Sequence, residues 1–388
     1  MSLVIKDGKA FVSGHFIERD ILIEDGLVKQ IGNNLEADET VYAKDQLVLP
    51  GLIDPHVHLR EPGATYKEDF ETGGRAAIAG GFTTVIDMPN NKPPTTTQKA
   101  LQEKIKLSEK ALCDVLFHFG CTDDNFDEIK KVDPKSLKIY LGDTTGHMML
   151  KKPDSLKKHF ANFPKDRPIV LHACTPDDNL ESTYRLQEHA IKLAAGRRIH
   201  IAHGSTKKEL TTAHVHGNVT IEVAPHHLFL SSKDYERLGA MKEVFPHLRT
   251  EQKRMMLLSA VELADCIASD HAPHTVEDKE EGAAGFPGLE TTLALMMDAC
   301  SKGLLDKIWC IQMMSEKPAE LFSIPNKGKI AKGFTGDVTI VDPKKEWKVV
   351  GGELETKCKW SPFEGKILKG KTSCVIKNGK IVYQDYQF

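Results

Sequence analysis

The feature that most constrains this chain is an alternation running from about residue 49 to 333. Strand-like and helix-like segments follow one another eight times. LVLPGLIDPHVH reads as a strand and KEDFETGGRAAIAGG as the helix after it. FTTVIDM precedes TTTQKALQEKIKLSEKA, DVLFHFG precedes NFDEIKKV, and SLKIYLG precedes SLKKHFANF. RPIVLHA, RIHIAHG, VTIEVAPHH and CIASDHAPH are followed in turn by NLESTYRLQEHAIKLAAG, STKKELTTAHVHG, EQKRMMLLSAVEL and LETTLALMMDACSKG. Eight β-then-α units predict an α/β fold closed as a (β/α)8 TIM barrel. A doubly wound open sheet would normally carry a Gly-rich phosphate turn after its first strand, and none is present.

The two ends read differently. Residues 1–48 hold short alternating runs broken at Asp7-Gly8 and Asp25-Gly26, both hairpin signals, and residues 334–388 do the same with Asn378-Gly379. Neither end alone could bury much. The two are expected to pair into one small β-sandwich domain beside a barrel of residues 49–333.

The 388 residues are 40% hydrophobic, enough for a large core, and 52 basic against 55 acidic side chains leave a formal charge of −3. That balance argues against nucleic acid and anionic membrane as partners. Cysteines 113, 121, 174, 266, 300, 310, 358 and 374 are scattered without a CxxC pair, as in a reducing compartment. MSLVIKDGKAF lacks the basic start and apolar run of a signal peptide, and no stretch is long enough to span a membrane. A cytoplasmic enzyme acting on a small molecule is expected.

In a barrel of this kind the active site lies at the C-terminal ends of the strands. Those ends carry His56 and His58, Lys138, His172, His203 and Asp270. Residues two apart on a strand point to the same face, so His56 and His58 can reach one metal ion. His214 and His216 have the same spacing but precede Gly217 at a helix end, and read as surface residues. His172 and His203 fit a second ion, and imidazole suits zinc and related ions. Lys138 could become a carbamate by reaction with carbon dioxide and bridge two ions. From spacing alone it could equally pair with Asp143, or Asp143 could be the bridge. Asp270 could bind an ion and exchange a proton with bound water, where a plain aspartate would cap the next helix.

At these residues the chain resembles the dihydroorotases of the amidohydrolase superfamily. Asp54-Pro55-His56-Val57-His58-Leu59-Arg60-Glu61-Pro62-Gly63 is similar to their first signature, and Ala268 to His274 to the second. Gly285 to Thr291 and Glu222 to Leu228 also match. The resemblance covers essentially the whole chain and is nearest to the class with a carboxylated lysine and a flexible loop after strand four. It implies two zinc ions, other divalent ions being possible. His56, His58 and Asp270 would hold the more buried ion, His172 and His203 the more exposed one, and carboxylated Lys138 would bridge them. Arg60, Asn90 and His274 match residues that hold a substrate carboxylate, and Thr144 matches a residue that closes over bound substrate. His274 is read as a substrate contact, because His and Asp four apart across Ala-Pro rarely share one ion.

The implied reaction is the reversible hydrolysis of L-dihydroorotate to N-carbamoyl-L-aspartate, the third step of de novo pyrimidine biosynthesis. A bridging hydroxide would be the nucleophile and Asp270 the proton shuttle. Hydantoinases and allantoinases share the HxH and the lysine but usually lack an arginine at the place of Arg60. An inactive dihydroorotase-like scaffold is expected to have lost ligands, and this chain keeps all six. Three residues depart from the family: Thr145 replaces an aromatic, Phe245 stands where relatives have Asn or Arg, and Ala202 stands where many have Cys. A homodimer is the expected assembly, and an aspartate transcarbamoylase is a candidate partner; the sequence fixes neither.

Overall fold

The computed structural model describes residues 2–142, 148–152, 154–175 and 177–388. Eight parallel strands form a barrel in chain order. They are Leu52–Val57, Phe82–Asp87, Asp114–Phe117 with Phe119–Gly120, Leu137–Tyr140, Ile169–His172, Ile199–Ile201, Val219–Val223 and Cys266–Ile267. Each pairs with the next, and the third strand changes neighbour at His118. Closure comes from a parallel bridge between Val57 and His271, where the His58 amide donates to the His271 carbonyl at 2.8 Å.

Several strands are buried along their whole length, because the barrel covers one face and a ring of helices the other. Helices follow at Phe70–Ala79, Gln98–Ser108, Phe126–Val132, Ser155–Asn162, Leu180–Ala194, Lys207–His214, Glu251–Leu258 and Leu289–Ser301. Their starts are local chemistry: Asp69, Thr97, Asn179, Thr206 and Thr250 each accept a backbone N–H of the first turn. His214 and His216 are exposed at the end of the sixth helix, as the sequence suggests. Among the described residues no helix is long and apolar enough to cross a membrane.

Both chain ends build one sandwich. One sheet orders Leu27–Gly32, Asp20–Glu24, Ser2–Lys6 and Glu39–Tyr42. The other orders Lys380–Gln384, Ile367–Lys377, Val338–Lys348, Leu47–Pro50, Lys9–Val12 and His15–Glu18, so residues from the two ends lie side by side. Leu3, Ile5, Ile21, Val338, Ile340 and Ile376 meet in a core between the sheets.

Two expectations are corrected. Asp7-Gly8 is not a hairpin turn: Ser2–Lys6 and Lys9–Val12 lie in different sheets. Gly8 is needed there for close approach, since a Cβ would fall 2.5 Å from Val48 Cγ2 and 2.9 Å from Ala43 Cβ. The run LVLPGLIDPHVH is two strands that part at Gly51, one in the sandwich and one in the barrel. Asp25-Gly26 and Asn378-Gly379 do turn antiparallel hairpins.

Candidate metal centre and substrate cavity

The strand ends converge on a cavity of about 360 Å³. His56, His58, Lys138, His172, His203 and Asp270 all line it, with Arg60 and Asn90. Donor atoms of His56, His58 and Asp270 lie within 4.8 Å of one another. The Nε2 atoms of His56 and His58 stand 3.2 and 3.4 Å from the same Asp270 oxygen. Each ring is fixed from behind. His56 Nδ1 meets Glu222 Oε1, and His58 Nδ1 donates to Asn90 Oδ1 at 2.8 Å. With Nδ1 carrying the proton, both Nε2 lone pairs are turned toward Asp270, the orientation a metal ligand needs. His172 Nδ1 and His203 Nε2 approach to 2.8 Å, within reach of one ion.

The electrostatics favour cation binding. Burial first, then neighbouring positive charge, pushes His58 down to about 4 and His172 to about 3, so both are neutral near pH 7. Burial alone would raise Asp270, but His56, His58 and His203 outweigh it and hold its carboxyl well below the usual range. Lys138 is fully buried, its Nζ has no hydrogen-bond partner among the described residues, and burial lowers it to about 8. An ammonium without acceptors is costly in such a place, and an amine ready to be carboxylated is not. The donor set therefore fits two divalent ions with a lysine-derived bridge.

Three site residues take left-handed backbone conformations although none is glycine: Arg60 (φ 62°), His203 (φ 40°) and Asp270 (φ 48°). Such strain costs on the order of 1–3 kcal/mol each and persists only where surrounding contacts over-determine it. Those contacts lie beneath the site. Asp54 accepts from the amides of His56 (3.1 Å) and Ser269 (3.1 Å), tying strand one to strand eight, and burial pushes its carboxyl up to about 7. Asp87 accepts from the Leu59 amide at 2.8 Å and pairs with buried Lys104 at 2.6 Å.

Glu222 is the residue sequence reasoning left without a role. One oxygen serves His56 Nδ1 and the His203 amide at 3.2 Å; the other accepts from His200 Nε2 at 3.0 Å. His200, Glu222 and Cys266 also bring donor atoms within 4.8 Å. Both His200 nitrogens are occupied, by Glu222 and by Thr220 Oγ1 at 2.8 Å, so this group is a hydrogen-bonded layer under the centre. The signal for Glu222 was a carboxylate at inward register near the end of a barrel strand.

Arg60 donates through Nε to the Pro273 carbonyl at 3.0 Å, and Nη2 lies 3.0 Å from His274 Nε2. Among the described residues Nη1 has no partner. His274 accepts from Lys67 at Nδ1 and meets the Ala284 carbonyl at Nε2, each at 3.0 Å. Burial and the flanking Arg60 and Lys67 keep it neutral. It lines a smaller chamber behind Arg60. Asn90 lines both cavities while orienting His58. Phe245 lines the main cavity, its ring 4.6 Å from that of His247, whose Nδ1 binds buried Asp178 at 3.0 Å. Ala202 is buried beside its strand end. Asp143, Thr144 and Thr145 lie outside the described residues, with the rest of 143–147 in the loop that follows strand four.

A barrel with a sandwich made of both chain ends and a His/Asp/Lys centre at its mouth defines a class. The amidohydrolase family model matches residues 47–382, and the chain belongs to the amidohydrolase family. The fold is shared with the L-hydantoinase of Arthrobacter aurescens, at a TM-score of 0.94 with 28% identity, covering 99% of this chain and 96% of that one. In sequence the chain is 38% identical over 405 residues to the dihydroorotase of Pyrococcus abyssi, covering 99% of this chain and 96% of the relative. It is also 39% identical over 352 residues to the multifunctional protein CAD of Squalus acanthias, covering 87% of this chain and 15% of that longer one. Within the amidohydrolases the chain belongs to the dihydroorotases.

Proposed function

We propose that the cavity catalyses the reversible hydrolysis of L-dihydroorotate to N-carbamoyl-L-aspartate. The observation that carries this reading is Arg60, a guanidinium whose Nη1 has no partner among the described residues, in the same cavity as the six candidate ligands. Dihydroorotate is a cyclic ureide bearing one carboxylate, and a guanidinium fork suits that group. Hydantoin-type rings lack it.

His56, His58 and Asp270 would hold one divalent ion, His172 and His203 the other, with carboxylated Lys138 between them; zinc suits this imidazole-rich set. When bound, the ions supply Lewis acidity and an activated water at neutral pH. The chain's own residues do the rest. Arg60 binds the substrate carboxylate, with Asn90 Nδ2 as a further donor. His274, neutral and beside Arg60, is assigned with it to the substrate carboxylate. Thr144 is assigned to closure over the bound ring. Asp270, ionised and beside the reacting amide, accepts the proton of the attacking water and delivers it to the departing ring nitrogen. Run backwards, ring closure consumes one proton, so the equilibrium moves toward dihydroorotate by about tenfold per unit fall in pH. A homodimer, and docking to an aspartate transcarbamoylase, remain part of the proposal.

The test is loss of L-dihydroorotate on incubation with metal-loaded protein. Turnover that stops with a chelator and returns with zinc supports the reading. Two bound ions with no turnover would sink it and move the search to hydantoins and allantoin, with apolar Phe245 as the first residue to exchange.

A further inference from the structure

Away from the barrel mouth, two cysteines face each other. Cys300 lies in the last turn of the helix Leu289–Ser301, and Cys310 in the helix Lys307–Met313. Their sulfurs are 3.4 Å apart. Cys310 is fully buried, whereas Cys300 is partly exposed. The other six cysteines are all buried.

The chemistry of the pair is asymmetric. Cys300 alone of the eight cysteines has its thiol held below the ordinary range, first by the hydrogen bond it shares with Cys310 and then by the charge of Lys307. Cys310 is raised by the same bond and by burial, so it keeps its proton. Burial pushes Cys358 up to about 11, Cys113 and Cys374 up to about 12, and Cys121, Cys174 and Cys266 up as well. Cys300, the more exposed of the two and beside Lys307, is thus the one placed to react first, with Cys310 behind it.

Space permits the bond. A disulfide needs the sulfurs about 2.05 Å apart, so they must close by roughly 1.4 Å. The connection between the helices is exposed from Ser301 to Leu304 and turns at Gly303 (φ 70°), so it can yield.

We propose that Cys300 and Cys310 form a thiol–disulfide exchange site for small anionic disulfides such as glutathione disulfide. The Cys300 thiolate attacks one sulfur of the disulfide. A Cys300–glutathione bond forms and one glutathione thiolate leaves, taking a proton from solvent. Cys310 then loses its proton and attacks Cys300 Sγ, releasing the second glutathione. Two protein thiols are oxidised to one disulfide while one glutathione disulfide is reduced to two thiols. Lys307 favours both the thiolate and an anionic reagent.

The test treats the reduced, folded, metal-loaded protein with glutathione disulfide near neutral pH, quenches by alkylation and maps the cysteines by mass spectrometry. Wild type is expected to lose two hydrogens and yield a Cys300–Cys310 link. C310S is expected to stop at one glutathionyl group on Cys300, and C300S to gain neither modification. Circular dichroism and the melting temperature verify that both variants fold. The proposal is overturned if C300S is modified at Cys310 as fast as wild type. It is overturned equally if C310S reacts at a buried cysteine before Cys300. Neither readout depends on the reaction assigned to the barrel mouth.

Discussion

Arg60 earns its place through backbone as much as charge. Its left-handed φ turns the side chain back over the barrel mouth, and the Pro273 carbonyl holds Nε there. An Arg60→Ala variant is expected to lose a charge-assisted contact worth about 1.5–3 kcal/mol, seen as a rise in KM for dihydroorotate of roughly 10- to 100-fold. Unchanged KM would remove the arginine from the binding site. Asp270→Ala is expected to abolish turnover; near-normal kcat in a variant of unchanged metal content would end its role as proton carrier. Glu222 makes a different prediction. A Glu222→Gln side chain cannot accept on both sides, so either His56 or His200 loses its partner. Metal affinity, read by titration with a competing chelator, is expected to fall about 10- to 100-fold. Equal affinity would show that the ring is held by packing alone.

Among the elements, the barrel strands were legible from sequence and the walls of the cavity were not. A period-two pattern puts His56 and His58 on one face, and that much is local. The wall depends on Lys279, which sits in the short helix Val276–Glu280 and is buried. Its ammonium donates to the carbonyls of Glu243 (2.5 Å), Ala283 (2.8 Å) and Gly285 (3.1 Å), tying together two neighbouring wall segments some forty residues apart in sequence. No spacing rule links a lysine to three carbonyls. Lys279→Met would leave the Ala283 and Gly285 carbonyls without their donor, while Glu243 keeps the Gly285 amide, at a cost of about 2–4 kcal/mol. A lower melting temperature with raised KM is expected. A variant with wild-type melting and KM would show that the wall stands without it. The hairpin misread at Asp7-Gly8 has a similar cause. The dipeptide fits a turn, but where the flanking strands pair is decided by Ala43 and Val48, far along the chain.

For the whole molecule, the sandwich is more than an appendage. Val338–Lys348 pairs with Leu47–Pro50, and the segment after it leaves the sheet to reach the barrel mouth. There Trp360 Nε1 donates to the His274 carbonyl at 2.7 Å, and Thr356 Oγ1 donates to buried Glu68. Residues 334–388 therefore support the loop that carries Asp270 and His274 as well as completing a core. Truncation after Gly333 would expose Ile5, Ile21 and Ile23 and remove this support. The truncated chain is expected to lose cooperative unfolding and metal binding together, as followed by circular dichroism and metal analysis. Retention of both would make the sandwich dispensable.

The sequence by itself determined the eight-fold alternation, the split β-domain and the six candidate ligands. Each of these is written in short-range order: strand and helix periods, turn dipeptides, and polar residues at strand ends. Tertiary structure alone decided that Glu222 serves two candidate ligands at once, that His274 lies against Arg60, and that Lys279 and Trp360 hold the cavity wall. Those roles rest on contacts between residues far apart in the chain. A buried polar group must find its partner wherever the fold brings one, and local pattern carries no record of where that is.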